Sequence, residues 1–246
     1  MAKAPNGYLL YRGPSKIDGE PIIVIATGFA NASRNAKTGN EIQLWIIRED
    51  IAPTTAVKTG ADISVCGDCK HRGRSCYVTI FQAPLNIWKT YHRGRYPQMP
   101  LGQYQALFAG RMVRFGAYGD PTAAPIGLFS IISTCAAGWT GYTHQWRKAD
   151  SAWSRYVMAS VDTGAEYDQA KALGWRTFRV ITSTAPREYF NREIACPASV
   201  EAGHKTHCAA CKACGGNGAK ARADIAIVVH GAASKVNAFN RTIAAL

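Results

Sequence analysis

Cys66, Cys69 and Cys76 are separated by two and six residues in one polar run, ISVCGDCKHRGRSCYV (63–78), which also carries Lys70, His71, Arg72 and Arg74. Thiolates at this spacing bind soft metals, but three of them suit neither a disulfide framework nor a self-contained zinc clip. Two completions follow. His71 supplies the fourth ligand of a zinc site, or the thiolates hold three corners of a 4Fe–4S cluster and leave one iron open.

A second run, ACPASVEAGHKTHCAACKACGG (195–216), places Cys196, Cys208, Cys211 and Cys214 within 19 residues. Its C-x2-C-x2-C triplet resembles the cluster loop of bacterial ferredoxins, whose remote cysteine is followed by proline, as Cys196 is by Pro197. Gly215 and Gly216 leave room for backbone to approach sulfide. Zinc is the alternative, with His204 or His207 able to replace a thiolate. Cys135, inside the apolar stretch LFSIISTCAAG, reads as a small core residue.

The formal charge is +13, and it is uneven. Lys70 to Arg114 contains eight Lys or Arg and no Asp or Glu, interleaved with Tyr77, Phe81, Trp88, Tyr91, Tyr96, Tyr104 and Phe108. Cations neutralise phosphates and aromatic rings stack on bases, so nucleic acid is the expected partner, with Arg72, Arg74, Arg93 and Arg95 as contact residues. A solvated basic face with core aromatics is the plainer explanation. MAKAPNGYLLYRG lacks the apolar stretch of a secretory signal, and no run approaches about 18 apolar residues. The expectation is a cytoplasmic protein of a bacterium or phage-infected cell, with reduced thiols and no membrane partner.

These groups need strands and helices to position them. PIIVIATGF (21–29) and NEIQLWIIRED (40–50) read as strands. Helices are expected at APLNIWKTYHRG (83–94), LGQYQALFAG (101–110) and IGLFSIISTCAAG (126–138). RMVRFGAYGDP (111–121) and WTGYTHQW (139–146) are strands, the second carrying His144. RYVMASVD (155–162) is followed by a helix that Thr163 and Glu166 begin as a capping box, then by the strand WRTFRVITS. Asp162 reads as a helix-entry residue and His230, after DIAIVV, as a structural histidine. Strand, helix, strand in repetition implies a parallel sheet covered by helices, with sites at the C-terminal strand ends. The expected fold is α/β: a complete or partial TIM-like βα barrel over 1–185, with a Cys-rich metal-binding extension over 186–246 whose terminal strand and helix close the barrel.

In this order of elements the chain resembles radical S-adenosylmethionine enzymes, which have a partial βα barrel and a three-cysteine loop after the first strand. VRFGAYGDPTAAP is similar to their Gly-Gly-Glu-Pro motif, so the resemblance implies S-adenosylmethionine contacts at Gly116, Gly119, Asp120 and Pro121. It implies two clusters as well, the C-terminal cysteines holding an auxiliary one. KTGNEIQLWII ahead of a C…CYV loop also resembles phage-encoded proteins of unknown function related to this barrel. The spacing departs from the family's C-x3-C-x2-C, and Tyr77 follows the last cysteine rather than preceding it.

Two functions are therefore expected. One is a radical-S-adenosylmethionine-like iron–sulfur enzyme acting on nucleic acid or a nucleotide, in a phage or mobile-element context. The other is a non-catalytic zinc or iron–sulfur protein that binds nucleic acid. There is no P-loop, dinucleotide glycine motif, G-x-S-x-G elbow or zinc-deaminase signature.

Overall fold

The computed structural model describes residues 4–31, 36–184 and 186–245. Among them nine strands form one sheet: β1 (Gly7–Pro14), β2 (Pro21–Thr27), β3 (Glu41–Arg48), β4 (Met112–Tyr118), β5 (Gly138–Thr143), β6 (Met158–Val161), β7 (Thr177–Ile181), β8 (Glu193–Ala195) and β9 (Asp224–Val228). Their order across the sheet is β1-β2-β3-β4-β5-β6-β7-β9-β8. The first two pairings are antiparallel, and all those from β3 onward are parallel. Residues 22–26 of β2 are fully buried, which explains the unbroken apolar run IIVIA: both faces of this strand are covered.

The helices are α1 (Pro53–Thr59), α2 (Ile63–Cys66), α3 (Ala83–His92), α4 (Tyr104–Phe108), α5 (Ile126–Cys135), α6 (Gly164–Ala172), α7 (Cys208–Cys211) and α8 (Ala233–Ala244). The helix expected over 101–110 is only a 3-10 turn followed by α4. At the start of α6 the Thr163 hydroxyl accepts from the Glu166 amide, as a capping box requires. The returning bond is displaced: Glu166 accepts from the amide of Asp162, one residue early. That shift ties the end of β6 to the helix.

The α/β class and the parallel sheet agree with the sequence, but the sheet is open. β1, which local patterning did not reveal, forms one edge and is covered at Leu9 by residues 97–99. Short β8 is the other edge. The terminal strand β9 therefore closes nothing; it lies inside the sheet between β7 and β8. A large core of Ile, Leu, Val and aromatic side chains fills one region. A smaller one, around Met158, Ile225 and Ile227, includes Cys196 and Cys214. No helix among the described residues is long and apolar enough to cross a membrane.

Candidate metal centres

The first cysteine group sits beyond the C-terminal ends of β3 to β6. Cys66 closes α2, and Gly67 follows at φ +59°, where any Cβ would overlap the side chain of Gln145. Gln145 donates from Nε2 to the Cys66 carbonyl at 3.3 Å. The chain then coils through tight turns, Arg72 N to Cys69 O and Cys76 N to His71 O. His71 pins this coil to the sheet: Nδ1 lies 2.6 Å from Ser75 Oγ and Nε2 lies 3.0 Å from Asp162 Oδ1 at the end of β6. Phe239 of α8 stacks on the imidazole at 5.1 Å. Both ring nitrogens are thus engaged, and His71 does not stand as a fourth ligand. Nor is Ser75 a free nucleophile, because it is buried within the coil.

Burial raises all three thiols, and the charges of neighbouring cysteines add to the effect at Cys66 and Cys69. Cys66 is pushed well above the ordinary thiol range by burial, then by Cys76 and Cys69. Cys69 rises to about 12, burial outweighing the His71 amide that favours its thiolate. Cys76 is raised by burial against the Val78 amide and the charge of Lys235. Three such groups ionise together only if a cation joins them. Beside them the Tyr118 hydroxyl is buried without a hydrogen-bond partner, its pKa raised by burial and by Cys66. Buried hydroxyls almost always have a partner, so this donor fits an acceptor held by the cysteines, such as cluster sulfide.

The turn GAYGDP packs directly against this group. Gly119, at φ +82°, brings its Cα so close to β3 that a Cβ would lie 2.5 Å from Ile46 O. Gly116, at φ +76°, is as close to Gly119 O. The Asp120 amide donates to Val65 O at 2.6 Å, tying the turn to α2. Its carboxylate accepts from Thr122 N at 3.1 Å, Thr122 Oγ1 at 2.8 Å, Thr143 Oγ1 at 2.8 Å and His144 N at 2.9 Å. Burial raises the Asp120 pKa and these bonds oppose the rise. The side chain is an internal clasp that caps the 3-10 turn opened by Pro121, and it is not free to hold a cofactor amine. A polar cleft of about 100 Å³ opens alongside, lined by Cys69, Lys70, His144, Arg147, Asp162 and Glu166 among others.

The second group lies against the other end of the same sheet. Cys196 follows β8 and donates its amide to Ala226 O of β9, 2.8 Å. Cys208 opens α7 and donates to Lys37 O, 2.9 Å, just ahead of β3. The carbonyl of Cys214 accepts from Gly141 N of β5, 2.9 Å. All four cysteines join one apolar cluster with Met158, Ile225 and Ile227, and Tyr142 packs on it. Burial pushes Cys214 to about 12, eased by the Tyr142 hydroxyl. Cys208 rises to about 11 through burial and Glu41, eased by Arg114 and Lys37. His204 and His207 are exposed, and Cys135 is half-buried against the large core. Among the described residues no three His, Cys, Asp or Glu are grouped as ligands of one ion.

Of the expected nucleic-acid contacts, Arg74, Arg93 and Arg95 are exposed. Arg72 is not; it pairs with buried Asp62 at 3.3 Å and donates to Gly60 O. Most of the interleaved aromatics are structural. Tyr104 and Phe108 are buried, while Trp88 and Tyr91 both donate to Glu49. Tyr77 and Phe81 stand out at 62% and 65% exposure. His144 is half-buried with its ring 5.6 Å from that of His71, and His230 meets Lys37 Nζ at 2.8 Å. Nothing in the sequence signals the His71–Asp162 pair, 91 residues apart, or marks Tyr118, Glu41 and Arg114 as neighbours of the thiols. Alternation along β4 groups Arg114 with Tyr118 on one face, and that is the available clue.

Comparison with protein-family models, with curated proteins and with solved structures finds no match.

Proposed function

We propose that the protein is an iron–sulfur metalloprotein of the radical-S-adenosylmethionine type, with β3 to β7 and β9 forming a partial βα barrel, and that it acts on nucleic acid or a nucleotide. The observation that carries this is the coil at the C-terminal strand ends: three half-buried cysteines of one short segment beside a histidine and an aspartate already spent on other partners. Such a set leaves one corner of a 4Fe–4S cluster for an exogenous ligand. The unpartnered Tyr118 hydroxyl and the sequential parallel strands support the same reading.

A 4Fe–4S cluster would be held by Cys66, Cys69 and Cys76, and it would supply single-electron reduction of bound S-adenosylmethionine. The chain's own residues hold the coil through His71 and Asp162, stack Phe239 of α8 on that histidine, and offer a hydroxyl at Tyr118. With Asp120 saturated, recognition at GAYGDP falls to backbone groups of Gly116 and Gly119, whose missing Cβ atoms allow close approach. The substrate meets exposed Tyr77 and Phe81 and the cations Arg74, Arg93 and Arg95. These exposed groups also favour the second reading, a non-catalytic metal-dependent nucleic-acid-binding protein, since they need no chemistry to act.

Anaerobic preparation, followed by iron, sulfide and zinc analysis, tests the metal. Adding S-adenosylmethionine to the reduced protein should then change the cluster's electron paramagnetic resonance signal. Cys76→Ala should abolish that change and leave the C-terminal cluster intact. Release of 5′-deoxyadenosine establishes catalysis. Zinc alone at Cys66, Cys69 and Cys76 rules out the enzyme and leaves the binding protein.

A further inference from the structure

Burial alternates along the segment that follows Cys76. Val78 and Ile80 pack against the large core, whereas Tyr77 and Phe81 turn outward and are exposed. Both rings are held in place. The Arg114 guanidinium donates to the Tyr77 hydroxyl, and its carbon lies 6.0 Å from the ring centre. Phe81 sits on a turn joined to α3, where the Gln82 amide donates to Thr79 O and the Leu85 amide to Ile80 O, both at 3.1 Å.

Helix α3 carries a polar stripe away from Phe81. Asn86, Lys89 and Arg93 are exposed, and their spacing of three and four residues puts them on one face. Arg74 and Arg95 are exposed as well. Among the described residues Arg74, Lys89, Arg93 and Arg95 form no ion pair, in contrast to Arg72 with Asp62.

We propose that this surface takes single-stranded nucleic acid, with bases stacked on Tyr77 and Phe81 and phosphates on Arg74, Lys89, Arg93 and Arg95. The proposal rests on the nucleic-acid half of the reading above and needs no metal. In a duplex each base is covered by its neighbours, and only the base edges are open in the grooves. Phe81 has no donor or acceptor for an edge, and the Tyr77 hydroxyl is already engaged by Arg114. What both rings offer is a face, and the partner of a face is an unstacked base. Rings fixed before binding lose little freedom when a base arrives. Cations without carboxylate partners meet phosphates without first breaking an internal pair. Tyr77 directly follows Cys76, so a base stacked on it lies beside the first cysteine group.

Fluorescence anisotropy on the full chain tests this. The probe is one unstructured oligonucleotide of mixed sequence, as DNA and as RNA, single-stranded or annealed to its complement. The single strand should bind more tightly than the duplex at the same salt. Phe81→Leu keeps an apolar side chain but removes the ring, and should weaken single-strand binding by roughly fivefold or more. Tyr77→Ala should act in the same direction, while Tyr77→Phe keeps the ring and should retain most of the affinity. In these variants the slope of log affinity against log salt should stay at the wild-type value, because no phosphate contact is lost. A duplex bound as tightly as the single strand overturns the inference and leaves nucleic-acid binding intact. So does a single-strand affinity indifferent to both Phe81→Leu and Tyr77→Ala. Failure of every form to bind at low salt overturns nucleic-acid binding together with the inference.

Discussion

At the residue scale the most consequential side chain is Asp162. It receives His71 at 3.0 Å and lies 3.3 Å from Lys70 Nζ, so it joins the cysteine coil to β6. Burial alone would raise its pKa, but the His71 hydrogen bond and the charges of His71, His144 and Lys70 bring it down to about 2. The unfolded value is about 3.9. Because the folded pKa is depressed, its stabilisation is complete above about pH 5 and is lost as pH falls through about 2, about 2.6 kcal/mol in all. Urea unfolding between about pH 5 and pH 2 should show a shallower acid limb in Asp162→Asn than in wild type. Equal slopes would mean that the pair contributes nothing. Cys211→Ala belongs to this scale too. It should lower metal content and melting temperature together, since metal affinity becomes folding free energy when ligands converge only in the native state. Unchanged stoichiometry and melting would remove the C-terminal site.

At the scale of elements, Gly67 and α8 govern the first group. Gly67 sits in left-handed backbone between Cys66 and Cys69 with no space for a Cβ. Gly67→Ala should cost about 1–3 kcal/mol through strain and reduce metal at the N-terminal cysteines, while leaving the C-terminal metal in place. Loss of both metals equally would point to global unfolding instead. Helix α8 covers the coil but buries only Phe239, and among the described residues its other ties include Lys235 to Arg74 O and a two-way pair between Asn240 and Ser183. An element so thinly buried opens at lower free energy than the strands. Its amides should exchange with deuterium well before those of β3 and β4, and Phe239→Ala should speed them further without altering exchange in β3.

At the scale of the molecule the charge of +13 decides what approaches it. Any nucleic-acid complex should weaken steeply with salt. Replacing Arg74, Arg93 and Arg95 with Gln should reduce the slope of log affinity against log salt by about 1 for each phosphate that is no longer neutralised. Arg72→Gln should act differently. It leaves Asp62 buried without its cation and should cost about 3 kcal/mol of stability. A slope that Arg72→Gln lowers as much as the others would contradict its internal pairing.

The sequence by itself determined what depends on neighbours along the chain. β2 and β3 were visible from their Ile and Val content, α6 from Thr163 and Glu166, and the two cysteine groups from spacing alone. It also determined the α/β class, because strand and helix patterns alternate. Only the tertiary structure decided what depends on distant partners. The open edge at β1, the insertion of β9 between β7 and β8, and the saturation of Asp120 by Thr143 and His144 all depend on sheet order, which local periodicity does not encode. The same is true of Arg72, whose cation looks like a nucleic-acid contact until Asp62 is folded against it. Spacing names the thiols that can bind a metal; packing determines which neighbouring histidines, hydroxyls and cations have already been used, because each can satisfy only a few partners at once.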